Sequence, residues 1–186
     1  MKTIFCVIIS ILALVMSGCS NAVSESDLPN IVFEDMPEIV FKVCTSYNQY
    51  EYGDGCSLTF VDKNGNYYFS DYSEIFFLSN EELIETLKSG DERITKLYAS
   101  CDTGELSENY KKLLKVATNE KYELVYPEAM PDVEAESIMW YGLFYDKDGK
   151  LSSLPLHARE RMTGIDANDD RANEIFEWYS GALKTQ

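Results

Sequence analysis

Residues 58–69 read LTFVDKNGNYYF, two apolar runs on either side of a glycine turn. Leu58 and Phe60 alternate with Ser57 and Thr59, the two-residue period of a strand with one face buried. Asp62, Lys63 and Asn64 lead into Gly65, which takes positive φ at little steric cost. Tyr67, Tyr68 and Phe69 then resume with aromatic strand formers. The pattern predicts a hairpin closed by a type I turn with a glycine bulge. Upstream, Ile39, Phe41 and Val43 alternate with Val40, Lys42 and Cys44, so a three-stranded meander over about residues 38–70 is expected.

Beyond residue 78 the period changes. Ser79 and Glu82 have the spacing of a capping box, and Leu83, Ile84 and Leu87 form a helical stripe that ends at Gly90. Asp91 is placed to cap a second short helix with Ile94, Leu97, Tyr98 and Cys101 on one face. A third helix is expected from about Ser107, with Tyr110, Leu113, Leu114 and Ala117 at helical spacing. The last third returns to strands. Residues 122–126 read as one, residues 127–136 as an acidic loop with two prolines, and residues 138–145 as a strongly apolar strand. An Asp146-to-Gly149 turn leads into residues 150–156, where Pro155 implies a sheet edge. Asp169 opens a closing helix with Ala172, Ile175, Phe176, Tyr179 and Leu183 facing inward. The expected class is α+β: an antiparallel meander and a hairpin in a single domain, with three to four helices packed against the sheet. The Asp-Lys-Asn/Asp-Gly turns at 62–65 and 146–149 have unlike flanks, so they read as one favoured turn used twice rather than as a duplication.

The N-terminus has a different character. Lys2 precedes 13 uncharged residues, 4–16, in which only Ser10 is polar. A membrane-spanning helix needs about 20 apolar residues, so the run is too short to cross comfortably and reads as a cleaved export signal. The next residues are Ser17, Gly18 and Cys19. With Met16 in front of them they resemble the lipobox of bacterial lipoproteins; Met16 departs from that family's preferred Leu. The resemblance covers residues 1–19 only. It implies cleavage between Gly18 and Cys19 and a diacylglyceryl group on the Cys19 sulfur, with a palmitate-type acyl chain. Each buried methylene adds about 0.8 kcal/mol, and two chains anchor stably where one does not. The expected organisation is therefore a lipoprotein signal peptide over 1–18, a lipidated N-terminus and tether over 19–29, and an acidic domain over 30–186.

Residues 1–18 hold one lysine and no carboxylate, so the remainder carries 15 basic against 32 acidic residues, formally −17. Such a body is repelled by phosphate backbones, which argues against nucleic acid as a partner. The 13 Tyr, 9 Phe and 2 Trp fall almost entirely outside the signal, which argues for a packed core rather than disorder.

The candidate chemistry is sparse. Once Cys6 and Cys19 are assigned to the signal and the lipid, Cys44, Cys56 and Cys101 remain. Cys44 and Cys56 flank the first hairpin loop and are expected to face each other as a possible disulfide, with Cys101 on a helix and unpaired. Tyr47, Tyr50 and Tyr52 lie around that loop, beside Gly53 and Gly55; tyrosines there suit adaptable contact with a glycan or protein, although sheet packing is their commoner use. His157 is the only histidine. On a strand it shares a face with Arg159 and Arg161, a positive spot that reads either as an anion or partner contact or as charges paired with nearby carboxylates. Asp166, Asn168, Asp170 and Glu177 have the spacing of an EF-hand loop, but Arg171 stands where that loop needs glycine. The favoured reading is carboxylates at a helix start, with no metal. No nucleophile-elbow or two-histidine metal pattern is present, so no catalytic residue and no cofactor are assigned.

The function expected from these residues is a non-enzymatic partner- or ligand-binding module, lipid-anchored to the extracytoplasmic face of a cell membrane, monomeric, and binding an envelope protein or glycan. The alternative is an acidic inhibitor or immunity-type lipoprotein that blocks a basic partner.

Overall fold

The computed structural model describes residues 36–47, 55–126, 137–160 and 163–184. The meander forms as expected: β1 (Ile39–Tyr47), β2 (Gly55–Asp62) and β3 (Asn66–Ser70) pair antiparallel, and Gly65 takes φ +80° in the second turn. After β3 come a four-residue helix α1 (Ser73–Phe76) and α2 (Asn80–Ser89). The α2 helix has both halves of the Ser79–Glu82 capping box and ends on Gly90 at φ 71°. Strand β4 (Thr95–Ser100) leads into α3 (Thr103–Ala117). The hairpin β5 (Ser137–Tyr145) and β6 (Leu151–Glu160), the short β7 (Thr163–Ile165) and α4 (Asp170–Lys184) complete the order. All seven strands join one antiparallel sheet in the order β4-β3-β2-β1-β5-β6-β7. The class is α+β, and the described residues beyond Asn30 form one compact unit.

Helices cover both faces of the sheet, so its strands are apolar on both sides. Phe41, Val43, Val61, Tyr67 and Trp140 pack with Leu106, Tyr110 and Leu113 of α3 and Ala172, Ile175 and Tyr179 of α4. Leu58, Phe60 and Leu143 pack on the other side with Ile75, Leu83 and Ile84. A β-bulge at Val40 shifts the register of β1, with Ile39 opposite Asp62 but Phe41 opposite Val61. The extra residue reverses the alternation before it, so Ile39 joins the second cluster rather than sharing a face with Phe41 and Val43.

Other expectations are corrected. Residues 95–100 form the edge strand β4 and not a helix, so Cys101 follows a strand. Leu97 and Ala99 alternate with exposed Lys96, Tyr98 and Ser100. The apolar positions there fit both periods, and the open edge of β3 supplies hydrogen-bond partners for only one. Asp91 instead holds a turn, accepting from the Arg93 backbone N–H at 3.0 Å. The third helix begins four residues before the expected Ser107, because Asp102 caps it through the N–H groups of Gly104 and Glu105. Residues 122–126 make a single bridge, Leu124 to Ala167, rather than a strand. β6 is an edge over only part of its length, since β7 pairs with Ala158–Glu160. Pro155 lies in the part that β7 leaves uncovered, where the Tyr122 hydroxyl donates to its carbonyl.

α3 rests on β5 through a gap at Gly142. A Cβ added there would sit 2.5 Å from Leu113 Cδ1 and 2.6 Å from Cδ2. Leu113 is fully buried, so its methyls cannot swing clear. Gly142→Ala is expected to destabilise the domain by about 1–3 kcal/mol through overpacking. A shifted urea midpoint at constant slope would show it, and an unchanged midpoint would mean that the helix can ride up without loss.

Candidate functional site

The β1–β2 ladder runs from Ile39 opposite Asp62 to Tyr47 opposite Gly55, so the two ends of the sheet carry different chemistry. At the first end Asp62, 3% exposed, holds the hairpin together. Its Oδ1 accepts the backbone N–H groups of Asn64 (2.9 Å) and Asn66 (2.8 Å). Its Oδ2 accepts Asn66 Nδ2 (2.9 Å) and the Tyr68 hydroxyl (3.2 Å). These four donors replace the hydration that burial takes from the carboxylate. Burial, and then the Asp62 charge, push the Tyr68 hydroxyl up to about 12, which keeps it a donor.

Between this turn and the end of α2 lies a cleft of about 440 Å³. Glu38, Asn64, Asn66, Tyr68, Asp91 and Glu92 contribute to its walls. Several of the charges are already matched within the chain. Lys63 lies 3.3 Å from Glu38, and Arg93 lies 2.6 Å from Asp91. The hydrogen bonds from Arg93 hold the Asp91 carboxyl down to about 2. The arrangement suits hydrogen bonding to a small polar ligand. Among the described residues no group of three or more His, Cys, Asp or Glu side chains is placed to hold a metal.

At the other end the hairpin loop begins. Tyr50, Tyr52 and Arg161 lie outside the described residues, as do Gly18, Cys19 and the side chain of Tyr47. On this end two aromatics that the sequence reading did not single out follow β3: Tyr72, and Phe77, which is 79% exposed. Their only sequence signal is large aromatic side chains in the short connection between β3 and α2.

Cys44 and Cys56 do share one sheet face but do not face each other. Cys44 is opposite Leu58 and Cys56 opposite Ser46, a diagonal offset of two residues. Diagonal neighbours are about 7–8 Å apart, beyond the usual Cα span of a disulfide. Both thiols, and that of Cys101, are free. Burial pushes all three up from the ordinary thiol range, which disfavours the nucleophilic thiolate at neutral pH.

His157 is not on the surface, which corrects its reading as a ligand contact. It is 5% exposed, with its ring stacked 3.7 Å from that of Phe176 and edge-on to Trp140 at 5.1 Å. β6 runs past the expected end at Leu156 to include His157, and α4 covers the face on which the ring lies. Arg159, two residues along β6, is half-buried. Two of the EF-hand-like residues, Asp166 and Asn168, have separate tasks. Asp166 lies 3.1 Å from His157 Nδ1. Asn168 clamps residues 121–123, accepting from the Glu123 N–H and donating to the Lys121 carbonyl. Asp169 caps α4 and takes both Arg171 Nε (2.9 Å) and a terminal nitrogen (2.6 Å), and Arg171 holds its carboxyl below the usual range. Asp146 bonds the N–H groups of Asp148 and Lys150 in the pattern seen at Asp62, so one turn chemistry does serve both hairpins. No protein-family model matches the chain, and no curated protein is significantly similar to it.

Proposed function

We propose that the chain is a lipid-anchored domain on the extracytoplasmic face of a cell membrane that binds a partner or ligand without catalysing a reaction. The observation that carries this reading is the N-terminal pattern: a lysine, 13 uncharged residues, then Ser17, Gly18 and Cys19. A body of formal charge −17 is repelled by an anionic lipid surface, so the lipid rather than a basic face holds it there. The tyrosines at 47, 50 and 52 supply the contact chemistry, and exposed Tyr72 and Phe77 offer more of the same kind.

The test is metabolic labelling with palmitate, together with mass analysis of the N-terminus. Wild type should carry lipid on Cys19 and partition into detergent. Cys19→Ala should carry none and accumulate as an uncleaved or mis-sorted precursor. Mature wild-type protein free in the medium and starting at another residue would overturn the anchor.

The charge favours a second reading, an acidic inhibitor of a basic partner. Such a complex relies on electrostatic steering, so its association rate should fall steeply with added salt. A contact made mainly by tyrosines would respond little.

A further inference from the structure

We propose that His157 is an acid-sensitive latch that holds β7 and the N-terminal half of α4 against the sheet. Four elements meet on its ring. His157 belongs to β6, Trp140 approaches from β5, Phe176 stacks on it from α4, and Gly164 of β7 backs it. A Cβ at Gly164 would lie 3.5 Å from the ring carbon Cε1, ordinary van der Waals contact, so β7 passes directly against the ring. An imidazole in this setting is at home only when neutral.

The charged groups facing the ring are few. Asp166, just after β7, lies 3.1 Å from Nδ1, but the geometry falls short of an aligned hydrogen bond. Arg159 faces the ring from its own strand and opposes a second positive charge. The side chains that β5 and α4 set against it are aromatic. Attraction to Asp166 favours the imidazolium, but that carboxylate is 70% exposed and therefore screened by water. Loss of hydration acts on a ring only 5% exposed, so burial wins and the ring is held below its ordinary 6.5.

The sign follows from linkage. A base with a depressed folded pKa binds fewer protons folded than open, so its contribution is complete above about pH 6.5 and declines as pH falls towards the folded value. Within that window each pH unit favours the open form by up to about tenfold. The chain has one histidine, so an imidazole titration belongs to His157.

The experiment is amide hydrogen exchange by mass spectrometry on the full-length protein in detergent micelles, corrected for intrinsic rates. Between about pH 7.5 and 5, protection over residues 163–176 should fall roughly fivefold or more, while residues 58–69 change less than about twofold. His157→Phe keeps the ring stack and cannot take up a proton, so its protection should stay flat. Asp166→Asn deletes the carboxylate that favours the imidazolium and should steepen the loss. If His157→Phe fails to fold, the single histidine Cε1 proton signal of wild type decides the matter. A midpoint below about 6.5 supports the latch, and one at or above that value overturns it. A flat wild-type profile, or an equal decline in folded His157→Phe, also overturns it.

Discussion

Tyr179→Ala is expected to destabilise the domain by about 3–5 kcal/mol, the range for truncating a buried aromatic. Tyr179 is buried where α4 crosses the meander, its ring 5.8 Å from that of Phe41 on β1 and 6.1 Å from that of Tyr67 on β3. The alanine would leave a cavity walled by strands held in a seven-stranded ladder, which cannot collapse to fill it. The hydroxyl is the smaller part. It donates to the carbonyls of Phe41 and Thr59, each at 3.4 Å, long for such bonds. Tyr179→Phe should therefore lose no more than about 1 kcal/mol. Urea unfolding of both variants separates ring from hydroxyl, and equal losses would mean that the polar contact matters more than packing. The same burial pushes the phenol well above its usual value, so it stays protonated at any pH the fold tolerates.

Gly65→Ala should cost about 3 kcal/mol, while Gly90→Ala and Gly149→Ala should each cost about 1 kcal/mol. All three glycines have positive φ, at 80°, 71° and 74°. A Cβ on Gly90 or Gly149 meets open space, so only the left-handed conformation is penalised there. On Gly65 it would lie 2.6 Å from the Cys101 carbonyl oxygen, a backbone atom that no rotamer change can move. Opening that gap also strains the hydrogen bond from the Cys101 N–H to the Gly65 carbonyl, 2.9 Å long. Denaturant midpoints for the three variants give the ranking directly. A Gly65→Ala loss no larger than that at Gly90 would show that the turn and the start of α3 are not coupled.

Local chemistry explains what was legible in advance. The meander, the α2 capping box, the Gly90 stop and the inward stripe of α4 each depend on residues close in sequence, and the alternation or spacing of their side chains is the cause of the structure. Asp62 shows where legibility ended. The turn could be read from Asp62-to-Asn66, but the carboxylate's burial and its bond to Tyr68 depend on how the hairpin folds back on itself. Val40 shows the same limit at finer scale, since one bulged residue reassigns the face of Ile39 and leaves no mark in composition.

The antiparallel meander, the α+β class, the acidity and the N-terminal pattern from which the lipid anchor is proposed are all written in local sequence. Those features rest on side-chain period, turn stereochemistry and charge, which act within a few residues. Long-range packing makes residues 95–100 a strand, sets Cys44 and Cys56 diagonally, and seals the sole histidine under α4. Each of those depends on a partner far along the chain. The free edge of β3 claims an ambiguous segment, the register of β1 on β2 places the cysteines, and Phe176 covers His157. Hydrogen-bond pairing and burial outweigh local propensity at such points because the propensity differences are under about 1 kcal/mol per residue.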